Sequence, residues 1–233
     1  MRSASFDLMT KIRKALLLDL DGTLVATDEL HFEATMKVLP EFGLSMDRAT
    51  YMAKIHGGAN DDIKRYLFGA KGESVGTEYV TRKETAFREL LASVPTVPGA
   101  VELLDRARRA GVALAVVTNA PRENADLLLA PLGGENAFDA VILGDELEHG
   151  KPHPLPYLHA LECLGVEAVN ACGFEDSVNG VTALVAARVF AEGIGAAPYD
   201  QALRHAGAEQ VVEDLGWEHL RKIDLLEVIL GRA

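Results

Sequence analysis

Residues 16–25 read LLLDLDGTLV. Three leucines run without a polar face and then stop on acid, as Asp19 and Asp21 flank Leu20 ahead of Gly22 and Thr23. A short, uninterrupted apolar run is what a strand covered on both faces requires, and such strands belong to parallel sheets. In open parallel sheets, ligands collect at the carboxyl ends of the strands. The two acids therefore stand at the expected ligand edge. Two residues apart on an extended backbone, they face the same side.

Runs of the same kind recur at 112–117, 140–143, 169–172 and 189–191, separated by helical patterns at 100–110, 122–131, 155–164 and 178–187. Strands alternating with helices predict an α/β, Rossmann-like parallel-sheet core flanked by helices. One stretch breaks this rhythm. From residue 27 to 91 only helical patterns occur, at 29–42, 61–68 and 78–91, and the proline-bounded residues 93–99 that follow are hostile to helix. The expected organisation is a core of residues 1–25 and 93–233 carrying an inserted α-helical cap, residues 26–92, on a two-stranded connection.

Composition narrows the partners. The chain has 233 residues, 48% hydrophobic, with a formal charge of −12. That balance disfavours nucleic acid and anionic membrane surfaces. No apolar run reaches the ~18 residues of a membrane span, and residues 1–14 lack a signal peptide's apolar segment. A cytoplasmic, monomeric protein is expected. Cys163 and Cys172 are too few for a disulfide framework and, lying in apolar stretches, are both expected to be buried thiols.

The polar residues that follow the strands should converge on one edge. They are Asp19, Asp21, Gly22 and Thr23, then Thr118 and Asn119, then Lys151, then Glu175, Asp176 and Ser177. Clustered carboxylates repel one another, and their oxygens select a hard cation such as Mg²⁺. Lys151 then has a role against a phosphoryl group. Thr118 and backbone amides near Gly22 and Asn119 can hold the remaining phosphoryl oxygens. Of two acids flanking one centre, one can attack while the other moves protons. Each residue also has a plainer role: turn residue for Asp19 and Asp21, helix cap for Thr118, Asn119 and Asp176, solvated charge for Lys151, and a helix-start carboxylate facing the macrodipole for Glu175.

Four segments together resemble the signatures of the haloacid dehalogenase-like hydrolase superfamily: LLLDLDGTLV, VVTNA, GKPHP and GFEDSVNG. They occur in the family's order, with the helical insert between the first and second, as in the phosphoglycolate phosphatase and β-phosphoglucomutase-like branch. The resemblance implies that Asp19 is a nucleophile forming an aspartyl-phosphate and Asp21 the general acid/base. It implies Mg²⁺ held by Asp19, the backbone of Asp21 and Asp176, with Glu175 adjacent, and a phosphoryl group bound by Thr118, Asn119 and Lys151. His31 resembles a histidine found where the family's cap begins.

Substrate choice then falls to the cap. Residues 56–62, HGGANDD, lie where related enzymes carry a specificity loop, and Asn60 is the expected substrate contact there. Lys54, His56, Lys64 and Arg65 can face the substrate, though a solvated helix face is expected for most of them. The presence of Asp21 favours a phosphate ester, whose leaving group benefits from a proton. The expected activity is hydrolysis of a small phosphorylated metabolite, sugar phosphate-like. The alternatives are a β-phosphoglucomutase-like mutase, against which Asn60 stands where such enzymes carry arginine, and a non-catalytic phosphometabolite-binding module, against which the complete set of motifs stands.

Overall fold

A computed structural model describes residues 13–69, 73–197, 199–221 and 229, so most of the N-terminal stretch read for a signal peptide lies outside the described residues. Strand β1 (Ala15–Leu18) leads into helices α1 (Asp28–Val38), α2 (Arg48–Lys54), α3 (Asn60–Phe68) and α4 (Glu73–Leu90). The chain continues through α5 (Ala100–Ala110), β2 (Ala113–Thr118), α6 (Arg122–Leu129), β3 (Ala140–Leu143), α7 (Leu155–Leu164), β4 (Ala171–Glu175), α8 (Val178–Ala186), β5 (Phe190–Ile194), α9 (Asp200–Ala206), β6 (Gln210–Val212) and α10 (Trp217–Leu220). The strands form one sheet in the order β3-β2-β1-β4-β5-β6, every pair parallel. This is the expected α/β core with an inserted helical cap.

The apolar runs form strands because both faces are covered: β1, β2 and β4 are buried at every position. Leu18 pairs with Val116 on one side and with Phe174 on the other. The next residue of each strand is therefore Asp19, Val117 and Glu175, which sets the polar residues level at one edge.

Some boundaries differ from the sequence reading. The helical pattern at 29–42 divides at Pro40 into α1 and a 3-10 turn, and that at 122–131 ends before Pro131 in another, as a ring without an N–H requires. The strand expected at 189–191 runs to Ile194, and α2, α9, α10 and the three-residue edge strand β6 were not anticipated.

The insert leaves the core after β1 and returns before α5. Its two connections are hydrogen-bonded to each other, Ala26 N–H to Pro95 O (2.8 Å) and Val97 N–H to Leu24 O (3.0 Å). The extended, proline-bounded segment is thus one side of a two-chain stem. One hydrophobic cluster is continuous from cap to core, joining Val38, Tyr51 and Phe87 to Leu103 and Leu128. The opposite sheet face packs on α7 and α8 through Tyr157, Leu161, Val181 and Leu184.

Cys172 is buried, but Cys163 is exposed, which corrects the expectation of two core thiols. The buried stripe of α7 is Tyr157, Ala160, Leu161 and Leu164, and residue 163 falls off it. Among the described residues, no helix is long and apolar enough to cross a membrane.

Candidate active site

A cavity of about 90 Å³ lies between the carboxyl edge of the sheet and the helical insert. Asp19, Asp21, Thr118, Asn119, Lys151 and Asp176 line it from the core, and His31, His56, Asn60, Ile63 and Lys83 from the insert.

Its floor is a buried charge cluster. The Lys151 ammonium donates to Asp19 Oδ1 (2.5 Å) and to Glu175 Oε1 (2.6 Å). Glu175 is wholly buried and also accepts from the Tyr157 hydroxyl and from Ser177 Oγ (3.3 Å). Burial, then repulsion by Glu175, pushes the Asp19 carboxyl up to about 8, against the pull of Lys151. Asp176 is pushed up to about 7 by burial and by Asp28. Carboxylate oxygens of Asp19, Glu175 and Asp176 lie within 4.8 Å of one another. An all-oxygen donor set that resists carrying its own charge fits a hard divalent cation. Beside Asp176, a Cβ at Gly22 would collide with the carboxylate. The Gly22 amide donates to Val25 O (2.7 Å). Gly22 itself thus makes room for Asp176, and its own amide is taken by the turn, which leaves phosphoryl contact to the amides beside it.

Asp21 has different company. Its Oδ1 accepts from Thr27 Oγ1 (2.6 Å) and from His31 Nε2 (2.9 Å). Behind the imidazole, which stacks on Phe87 at 3.9 Å, Lys83 Nζ lies 3.0 Å from His31 Nδ1. An ammonium has only protons to give, so Nδ1 accepts and Nε2 carries the hydrogen aimed at Asp21. Burial pushes the Asp21 carboxyl up, but His31 and Thr27 outweigh it and hold the group below its ordinary value.

Thr118 Oγ1 accepts from Ala120 N–H (3.0 Å) at the end of β2. The Asn119 side chain is committed elsewhere than to a phosphoryl group. Its Oδ1 accepts from Lys151 N–H (2.9 Å), and its Nδ2 donates to Lys151 O and Gly57 O, both at 3.1 Å. It therefore staples the Lys151 loop to the insert. Asn179 Nδ2 makes a parallel contact to His56 O (3.2 Å). Asn60 is 9% exposed and faces the cavity beside Ile55 and Ile63.

Lys64 and Arg65 pair with Asp61 and Asp62, as a solvated helix face should. His56 instead lines the cavity. It is buried, with Nε2 3.2 Å from Asp176 and 3.4 Å from Asp28, and these carboxylates outweigh burial to raise its pKa well above the ordinary value. The sequence reading also missed Tyr157, Glu84, Asn124 and Lys83. Lys83 left a signal, because it stands between Tyr79 and Phe87 on the buried stripe of α4. A charge on an apolar stripe calls for a buried partner.

The chain matches the haloacid dehalogenase-like hydrolase family over residues 13–188 and belongs to it. It is 31% identical to the validoxylamine A 7'-phosphate phosphatase of Streptomyces hygroscopicus subsp. limoneus, across 89% of this chain and 98% of that one. It is 31% identical to the fructose-1-phosphate phosphatase YqaB of Escherichia coli, across 74% and 91%. A solved structure of a putative β-phosphoglucomutase from Bacteroides vulgatus superposes with a TM-score of 0.76 at 25% identity, covering 91% and 90%. Within the family, the chain falls in the helical-cap branch of phosphatases and phosphoglucomutase-like enzymes.

Proposed function

We propose that the protein is a Mg²⁺-dependent phosphatase that hydrolyses a small sugar phosphate-like monoester through an aspartyl-phosphate on Asp19. The observation that carries this reading is the convergence of Asp19, Lys151, Glu175 and Asp176 at one strand edge, with Asp21 facing the same cavity. Two relatives at 31% identity are named as phosphatases, one of validoxylamine A 7'-phosphate and one of the sugar phosphate fructose 1-phosphate, in keeping with it.

An oxygen of Asp19 attacks phosphorus, and the bond to the ester oxygen breaks. The departing oxygen takes a proton from Asp21. Water then attacks the aspartyl-phosphate while Asp21 takes its proton, releasing phosphate and restoring Asp19. The present contacts hold Asp21 as the carboxylate, the form the second step needs. The negative charge of a bound phosphoryl group raises its proton affinity for the first. Asp19, the backbone carbonyl of Asp21 and Asp176 would hold Mg²⁺, which would supply charge neutralisation at the phosphoryl oxygens. Glu175 holds Lys151 against Asp19, with Thr118 and the Asn119 backbone amide left to bind phosphoryl oxygens. Residues 26–92 form the cap and residues 1–25 and 93–233 the core, with Asn60 presented to the leaving group.

The mutase reading requires a cap cation for a second phosphate. Asn60 is neutral, and Arg65 is bound to Asp62 at 2.5 Å on an exposed surface. Lys83 and His56, which line the cavity from the insert, are already engaged, Lys83 with His31 and Glu84, and His56 with Asp176 and Asp28. A panel of phosphorylated metabolites, assayed for phosphate release with Mg²⁺ and again with chelator, tests the proposal. Metal-dependent release is expected. Conversion of β-glucose 1-phosphate to glucose 6-phosphate without phosphate release would overturn it.

A further inference from the structure

Behind Lys83, the contacts continue across the boundary between insert and core. Glu84 Oε1 accepts from Lys83 Nζ (3.0 Å), and Glu84 Oε2 accepts from Nδ2 of Asn124 (2.7 Å). Asn124, in the first turn of α6, is wholly buried. Its Oδ1 accepts from Arg88 Nη1 (2.9 Å), one helical turn beyond Glu84 on α4. Both ends of one core amide are thus gripped by an i, i+4 pair of the cap helix, which fixes the amide's orientation. Glu84 itself is 5% exposed, and a buried carboxylate with these partners tolerates little movement. The path from Asn124 to Asp21 is continuous: Glu84, Lys83, then His31.

We propose that Asn124 and Glu84 are positioning residues for Asp21: the core amide fixes the cap helix so that Lys83 holds His31 against the acid. This rests on Asp21 being the general acid/base. The Asn124–Glu84 contact sets where Lys83 sits, Lys83 selects the imidazole tautomer that donates to Asp21, and the cap helix is the lever between them. A loose Lys83 lets His31 turn, and the carboxyl of Asp21 loses the direction a proton transfer needs.

Two probes differing in leaving group isolate the effect. Phenyl phosphate releases a basic oxygen that needs a proton, whereas para-nitrophenyl phosphate releases a stable phenolate. With enzyme in excess over substrate and Mg²⁺ present, phenol release reports the first chemical step alone. Asp21→Asn is the reference and should slow phenyl phosphate the more, changing the ratio of the two rates by roughly 10²-fold. Asn124→Ala should change that ratio in the same direction by about tenfold, a part of the same acid contribution. Glu84→Gln, which keeps shape and the Asn124 contact but removes the charge tethering Lys83, should do likewise. In a Lys83→Ala background, Asn124→Ala should leave the ratio where Lys83→Ala put it. A purely structural Asn124 would slow both probes equally. That outcome, or an undiminished effect of Asn124→Ala without Lys83, would overturn the proposal while Asp21→Asn still shows leaving-group dependence. No dependence in Asp21→Asn would instead overturn the acid/base reading itself.

Discussion

Asp19 and Asp21 are separated by one leucine, yet their surroundings drive them in opposite directions. Asp19 shares a buried floor with Glu175 and Lys151, two carboxylates to one ammonium, and its pKa is pushed up to about 8. Asp21 meets a hydroxyl and an imidazole backed by Lys83, and its pKa is driven down. The first array comes entirely from strand ends and loops of the core; the second reaches into the cap. Environments that pull two neighbouring acids apart are how a site assigns two roles to one residue type. Here the difference also divides labour by domain. The core array gathers carboxylate oxygens that fit a cation, while the cap array holds the Asp21 carboxyl below its ordinary value.

The largest test of this division is Asp19→Asn. Turnover should fall by about 10⁴-fold or more, while the thermal unfolding midpoint holds or rises, since a carboxylate that resists ionisation is replaced by an amide. Activity near wild type would end the assignment. Lys151→Met comes next. It leaves Asp19 and Glu175 buried without their shared ammonium, and removing one partner of a buried ionic group costs about 3–5 kcal/mol. Urea unfolding should show that loss, and partial recovery on adding Glu175→Gln would confirm its electrostatic origin. His31→Ala addresses the other array. Without the imidazole the Asp21 pKa climbs, so the limb of the rate profile that rises as Asp21 ionises should move to higher pH, with turnover down by about tenfold. An unmoved limb would show that His31 does not set the state of Asp21.

The two arrays also differ in how far they could be read from sequence. The core array was legible because its members follow apolar runs, Lys151 at some distance, and parallel strands bring their carboxyl ends to one edge. Asp19, Thr118, Lys151 and Asp176 all sit at that edge. Less legible were the Gly22 amide and the Asn119 side chain, whose hydrogen bonds are taken by Val25 and by the Lys151 loop. Strand order does not reveal which polar groups a loop uses on itself. The cap array was mostly hidden. His31 was noticed only by resemblance, and the pairing of Glu84 with Asn124 joins residues 40 positions apart, which no local period links. Helix periodicity places a side chain on a face, but the docking of two helices decides its partner. Tyr157 was hidden for the same reason, an ordinary aromatic on a buried stripe until its hydroxyl meets Glu175.

A third buried acid sharpens the contrast, because it lies outside both arrays. Glu192, on β5, is 3% exposed and accepts the Gln210 N–H at 3.1 Å. Burial and then repulsion by Glu209, against that hydrogen bond, push its pKa up to about 7 from an ordinary 4.5. The folded chain therefore holds a proton that the unfolded chain releases near 4.5, so stability falls as pH rises from there through about 7 and stays reduced above it. Glu192→Gln removes the ionisable group while keeping the acceptor oxygen. Wild type and variant should unfold alike in acid, and the variant should be more stable by about 1–2 kcal/mol near pH 8. Because Glu192 touches neither the cavity nor the cap, turnover should not change. Equal stability at both pH values would mean that the Gln210 N–H holds this carboxylate ionised despite its burial.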